Sequence, residues 1–136
     1  MTQQTTEVRI HIASERAILE ARQRGREFAN DVGLGFAGLA IVATAISELA
    51  RNILRYAGEG DVVVQAVEES GRRGVMIIAS DTGPGIAVLD DAMRDGYSTS
   101  GGLGMGLPGV KRLMDDFEVC SRAGAGTRVV ARKWKP

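Results

Sequence analysis

Between Phe36 and Ala57 the chain is apolar at almost every position around a helix. Phe36, Leu39, Ala40, Ala43, Ile46, Ala50, Ile53, Leu54 and Ala57 recur at helical spacing and mark a buried side. Ile41, Val42, Ala45 and Leu49 make much of the remainder apolar as well. A helix of that kind belongs at the centre of a fold, covered on most sides, and Gly58 and Gly60 end it. One stripe breaks the pattern: Thr44, Glu48, Asn52 and Arg55 stack on one face. Burying a carboxylate and an amide without partners costs several kcal/mol. Two readings stay open. The stripe is an exposed face or a network satisfied by Arg51 or Arg55. Alternatively it is the polar wall of a ligand site, where a carboxylate takes a proton and an amide one turn away ligates Mg²⁺ through oxygen.

The segments around this helix alternate in hairpins. Thr6 to Ile12 alternates apolar and polar residues and reads as a half-buried strand. Ser14 is an N-cap for a helix whose apolar face is Ile18, Ala21, Gly25, Phe28, Ala29 and Val32, ending at Gly33. Asp61–Glu68 and Gly74–Ser80 read as strands joined by a turn over Glu69–Arg73. Val88–Arg94 reads as a short helix and Leu107–Asp116 as another, with Pro108 in its first turn. Phe117–Ser121 and Thr127–Trp134 are two last strands. Strands grouped as hairpins favour an α+β fold, a two-layer sandwich with helices on one face of the sheet, over a doubly wound parallel sheet.

Composition removes several function classes. A chain of 136 residues is one domain's worth, so residues 1–136 are read as a single domain. Seventeen basic and seventeen acidic residues cancel, which disfavours a basic face for nucleic acid. Cys120 and His11 are each the only residue of their kind, which excludes an intrachain disulfide and zinc sites of the usual kind. Cys120 is read as a core residue, His11 as structural, and Trp134 as covering a sheet edge or face. The longest uncharged stretch, Val32 to Ser47, has sixteen residues, against the roughly 20 that a membrane span needs. The polar N-terminus lacks a signal-peptide pattern. These features give a soluble, cytoplasmic protein with no membrane segment.

Two loops carry chemistry. Asp81-Thr-Gly-Pro-Gly85 follows a hydrophobic strand. It is either a plain strand-ending turn or a carboxylate set beside backbone that a ligand can approach closely. An acceptor-only carboxylate there suits an exocyclic amino donor such as that of adenine. The run from Gly96 to Gly109 holds six glycines and opens a helix. It is a solvent loop or an anion site built from successive N–H groups. Gly104-Met-Gly-Leu-Pro-Gly109 formally matches G-x-G-x-x-G, but no βαβ unit surrounds it, and no Walker A sequence is present.

In this order the motifs resemble those of the GHKL ATPases over nearly the whole chain, Val8 to Lys133. The N box is Glu48-Leu-Ala-Arg-Asn52, the G1 box Asp81-Thr-Gly-Pro-Gly85 and the G2 box Gly102-Leu-Gly-Met-Gly106. Ala45–Asn52 and Gly96–Asp115 look very like the RsbT family of stressosome switch kinases, which are similar to anti-sigma-factor kinases. The resemblance implies a GHKL (Bergerat) ATP-binding fold with a mixed, mostly antiparallel sheet under a layer of helices. It implies ATP and Mg²⁺ as cofactors, with Asn52 the metal ligand and Glu48 the catalytic residue that orients or deprotonates the attacking hydroxyl. Asp81 would accept from the adenine amino group with Thr127 in support, and Gly83 and Gly85 would shape the base pocket. Gly102, Gly104, Met105, Gly106 and Leu107 would offer N–H groups to the phosphates.

Such kinases phosphorylate Ser or Thr of STAS-domain scaffold and antagonist proteins. They then activate an effector, such as a PP2C-type phosphatase or a second-messenger enzyme. An ATP-gated binding module that sequesters a partner is the alternative. There are departures too. His11 is no phospho-accepting domain, and Tyr97 to Met105 has no basic residue, which leaves Arg55 and Lys111 as candidates to meet the γ-phosphate. The chain ends after its sheet without a transducer domain, so clamping of the gyrase or Hsp90 kind is not expected. A homodimer is left open through the apolar side of the Ser14–Val32 helix.

Overall fold

Residues 6–83, 106–122 and 124–136 are described in this computed structural model. The first strand, β1 (Glu7–Ile12), leads into α1 (Glu15–Val32) and then α2 (Gly35–Tyr56). A hairpin of β2 (Gly60–Glu69) and β3 (Arg72–Asp81) follows, then α3 (Gly106–Leu113) and a second hairpin of β4 (Asp116–Arg122) and β5 (Gly126–Trp134). The strands form one five-stranded sheet in the order β1-β2-β3-β5-β4. All four pairings are antiparallel. The expected α+β sandwich is therefore present. The two-residue turn Ser70-Gly71 is tighter than the expected Glu69–Arg73 turn, because both strands extend beyond their apolar alternation. The short helix expected at Val88–Arg94 lies outside the described residues.

Local signals set the helix ends. Ser14 accepts from the Ala17 N–H at 3.3 Å. Gly33 closes α1 in the left-handed region, donating to the Ala29 and Asn30 carbonyls. α2 begins at Leu34 without a side-chain cap and ends with the Ala57 N–H on the Ile53 carbonyl. The helices cover one face of the sheet. Val62, Val64, Val75, Ile77, Ala79, Val129 and Ala131 alternate toward them and join Ile18, Phe28, Val42, Ile46 and Leu49 in a single core cluster. Gly25 lets the two long helices close: a Cβ there would stand 2.1 Å from Cδ1 of Ile46. α2 is long and apolar enough to cross a membrane by length and composition, but 56% of its apolar window is buried inside this fold.

Three expected core positions prove to be on the surface. Phe36 is 90% exposed, and Ala40 is exposed too. The covered side of α2 runs through Val42, Ile46, Leu49 and Ile53, and Phe36 and Ala40 fall outside that line. Cys120 is exposed. It alternates with Phe117 and Val119, which pack on the core, so the pleat turns Cys120 to the face no helix covers. Trp134 is buried at the end of β5, as expected of a residue that covers the sheet.

His11 is structural, as expected. It faces Asp61 across the β1–β2 register and contacts Asp61 at 3.0 Å and Glu59 at 3.0 Å through its two ring nitrogens. Arg9 reaches the other oxygen of Asp61 at 3.3 Å. The hydrogen bond to Asp61, then that to Glu59, raise the His11 pKa above its ordinary 6.5. A raised folded-state pKa stabilises the fold fully below the unfolded value, and that contribution is lost as pH rises through the folded value. The unfolding midpoint of the wild type, relative to His11→Gln, should therefore be highest just below about pH 6.5 and decline above it. A difference that is flat with pH would show that the cluster contributes nothing through charge.

Candidate functional site

The late turns of α2 and one end of the sheet converge on a polar corner. Glu48 is 8% exposed, although the core cluster does not include it. Asn52 and Arg51 are half-buried, while Thr44 and Arg55 are exposed, so the stripe runs from solvent into the fold and out again. An oxygen of Glu48 lies 3.0 Å from an Arg51 nitrogen, one turn away on the same helix. The network reading of the stripe therefore holds for Glu48, which Arg51 satisfies, and Asn52 stands one turn further along, half-buried. The Arg51 side chain is 43% exposed, so the pair is partly screened and contributes on the order of 1 kcal/mol or less. That does not offset the several kcal/mol cost of desolvating a carboxylate. Stability alone does not call for an acid at position 48.

The sheet carries a second polar group where it meets the last turn of α2. Asp81 lies at the end of β3, opposite Thr127, and Thr127 lies opposite Ser121. Directly opposed residues share a face. By alternation with Ile77, Ala79, Val129 and Ala131, that face is the one the helices cover. Asp81 accepts from the Gly83 N–H at 2.9 Å through Oδ1. The Ser121 and Thr127 hydroxyls lie 2.7 Å apart. Close backbone approach needs glycine here. A Cβ on Gly83 would meet that of Ala57, at the end of α2, at 2.5 Å, and a Cβ on Gly126 would meet the Asp81 carbonyl oxygen at 2.1 Å. Gly126 also has φ of 93°.

The residues named from the sequence therefore divide. Glu48, Asn52, Asp81, Gly83, Thr127, Gly106 and Leu107 are described, and Gly85, Gly102, Gly104 and Met105 lie outside the described residues. Asp81, Gly83 and Thr127 are brought together, with Gly83 against the end of α2. Gly106 and Leu107 open α3, which packs on α2 and β4. Reading the residues alone missed Gly60, whose Cβ would come within 3.0 Å of that of Asp81, and Ser121; Gly126 was singled out with Thr127 in the terminal hairpin, though not for its close approach to β3. The Ser121–Thr127 pair was available from hairpin register; the two glycine contacts arise only from tertiary packing. Among the described residues, no three His, Cys, Asp or Glu side chains converge as a metal site. An amide oxygen at the rim fits a hard cation that takes its other ligands from water and phosphate. Acceptors at the Asp81 corner fit a base with an exocyclic amino group.

The model of the histidine kinase-, DNA gyrase B- and HSP90-like ATPases matches residues 38–136. Over 125 residues the chain is 53% identical to the serine/threonine-protein kinase RsbT of Bacillus subtilis, covering 92% of this chain and 94% of that protein. It is 36% identical over 97 residues to an anti-sigma F factor of Clostridium beijerinckii, covering 68% of each. Among solved structures, the RsbU and RsbW domains of a Mycobacterium tuberculosis protein superpose with a TM-score of 0.66 at 21% identity. That match covers 97% of this chain and spans 34% of the other, so it shows the fold alone. The mycobacterial sensor histidine kinase MprB gives a TM-score of 0.56 at 17% identity, covering 93% and 97%.

Close packing at the sheet end can be tested with two glycines of one turn. Gly124 has φ of 79° and nothing within 4 Å of a Cβ, so Gly124→Ala should cost about 1 kcal/mol of backbone strain. Gly126→Ala adds the contact with the Asp81 carbonyl and should cost roughly 1–3 kcal/mol more. Equal losses in denaturant unfolding would show that β3 and β5 are not held together there as described.

Proposed function

The chain belongs to the histidine kinase-, DNA gyrase B- and HSP90-like ATPase family, and from that premise we propose that it is a partner-switching protein serine/threonine kinase. It binds ATP and transfers the γ-phosphoryl group to Ser or Thr of STAS-domain scaffold and antagonist proteins in a stressosome. It acts in the cytoplasm as a single ATP-binding unit, and release from its substrates frees it for an effector such as a PP2C-type phosphatase or a second-messenger enzyme. One observation carries the reading: a buried glutamate, unexplained by stability, sits one turn before a half-buried asparagine on α2. The 53% identity to a protein named as a serine/threonine kinase supports it.

Each residue then has a task. Asp81, fixed by the Gly83 N–H, would accept from the adenine amino group, with Thr127 beside it in the register. Gly83 and Gly85 would shape the base pocket, and Gly102, Gly104, Met105, Gly106 and Leu107 would offer N–H groups to the phosphates. Asn52 would hold Mg²⁺, which when bound offsets phosphate charge. Glu48, its carboxylate positioned by Arg51, would take the proton of the acceptor hydroxyl. The hydroxyl oxygen bonds to the γ-phosphorus, the bond from that phosphorus to the β–γ bridging oxygen breaks, and ADP leaves.

Relatives named anti-sigma F factor favour a second reading, in which ATP gates partner sequestration and no phosphate moves. Intact-mass measurement of STAS proteins incubated with the protein and Mg-ATP separates the two. A gain of one phosphate supports the kinase; ATP binding with no phosphate on any STAS candidate supports the binding module.

Glu48→Ala should lower the transfer rate about 10²- to 10⁴-fold, the usual contribution of a general base, with ATP affinity retained. Equal rates would remove Glu48 from the reaction. Asn52→Ala should abolish the dependence of ATP affinity on Mg²⁺, read by calorimetry with and without the metal. An unchanged dependence would place the metal elsewhere.

A further inference from the structure

The end of the molecule opposite the Asp81 corner carries an open groove of about 540 Å³. Asp81 ends β3 and Arg72 begins it, which separates the two ends by about 30 Å at ~3.3 Å per residue. Ala37 and Ile41 line the groove from α2, with Leu34 just before that helix and Trp134 from β5. From Gly35 to Ile41 no side chain is polar, and Phe36, Ala37 and Ala40 are exposed. Phe36 lies on the outer flank of these same turns. No acidic residue occupies the first turn of α2, and no side chain caps it.

The charges around the groove are unequal in availability. Asp115 accepts from the Trp134 N–H at 2.8 Å and contacts the Lys133 ammonium at 3.3 Å. Asp116 accepts from the Trp134 indole N–H at 2.8 Å. Both acids are engaged in holding Trp134. Arg72 lies 4.2 Å over the Trp134 ring, and the Lys135 side chain lies against Gly33, where a Cβ would meet it at 3.4 Å. Neither Arg72 nor Lys135 has an ion-pair partner among the described residues. The groove thus offers an apolar floor, a helix start that favours negative charge and three cations, Arg72, Lys133 and Lys135, against the two acids Asp115 and Asp116, a surplus of one positive charge.

We propose that this groove docks an acidic, amphipathic peptide segment of a partner protein, apolar side chains on the α2–Trp134 floor and carboxylates toward Arg72, Lys135 and the start of α2. Helix-in-groove recognition has this form. A concave surface rimmed by engaged acids suits a peptide better than a bilayer. The inference does not rest on the kinase reading, since none of these residues belongs to the nucleotide corner. It follows that a partner held here leaves the Asp81 corner free for nucleotide.

The test is a random peptide library displayed on phage, selected on the full chain. Enriched peptides are then titrated while the emission of Trp134, the chain's single tryptophan, is followed. The expected peptides carry apolar residues at helical spacing together with Asp or Glu, and they change Trp134 emission. Ala37→Glu, which places an acid where a helix start tolerates it, and Lys135→Glu should each weaken binding roughly tenfold, about 1.4 kcal/mol. Phe36→Asp should weaken it too, and ATP affinity should not change in any of the three. Enrichment of basic peptides, no enrichment, no Trp134 response, or equal binding by the variants would overturn the proposal. So would binding of wild type but not Phe36→Asp to phosphatidylserine vesicles, or an Ala37→Glu-sensitive dimer in sedimentation, with no peptide enriched.

Discussion

The structure depends on the way α2 divides its surface. One side, through Val42, Ile46, Leu49 and Ile53, is buried against α1 and the sheet. Burying each large aliphatic side chain contributes about 1.5–3 kcal/mol, so this side outweighs anything the polar residues of the helix supply. That margin lets the flank beside it hold Glu48, a carboxylate the fold tolerates rather than uses. Arg51 removes part of the cost from one turn away, which fixes the carboxylate without sealing it from solvent. The acid is therefore the residue of α2 that packing accounts for least.

The sheet meets this demand at its strand ends, where ladder pairing stops and side chains are free to serve a ligand. Asp81, Thr127 and Ser121 occupy one row across β3, β5 and β4. The row reaches the end of α2 only because glycine stands at 60, 83 and 126, where a Cβ would collide with neighbours. Those glycines exchange side-chain packing for proximity.

Much of this was legible in the sequence, for identifiable reasons. Ser14 and Gly33 announced the ends of α1 because caps are local chemistry. The hairpins were visible because alternation and turn residues agree within a few positions of each other. Phe36 and Cys120 were misplaced because apolar character says that a residue can be buried, while the covering element decides whether it is. α2 is apolar on more sides than its neighbours cover. Cys120 sits in an edge strand whose outer face has no helix over it. The motif residues Glu48, Asn52 and Asp81 stood out because a polar group in apolar surroundings needs a reason. Gly60 did not, since a glycine at the end of a strand looks the same whether it turns the chain or clears a path for another one.

The misplacement of Phe36 has a physical counterpart. A core-like stretch left uncovered at the start of α2 keeps the free energy it would have gained by burial, and a partner can collect it. The same long elements, α2, β3 and β5, present the Asp81 corner at one end and this apolar surface at the other. The described part of each end stands on strands and helices of the same sheet and helix layer. A protein that must exchange partners benefits from that separation: a segment seated at the groove would be held by burial and charge at one end, and phosphoryl transfer would depend on Glu48 and Asn52 at the other. Affinity for the partner and rate on the substrate could then change independently, because no residue serves both.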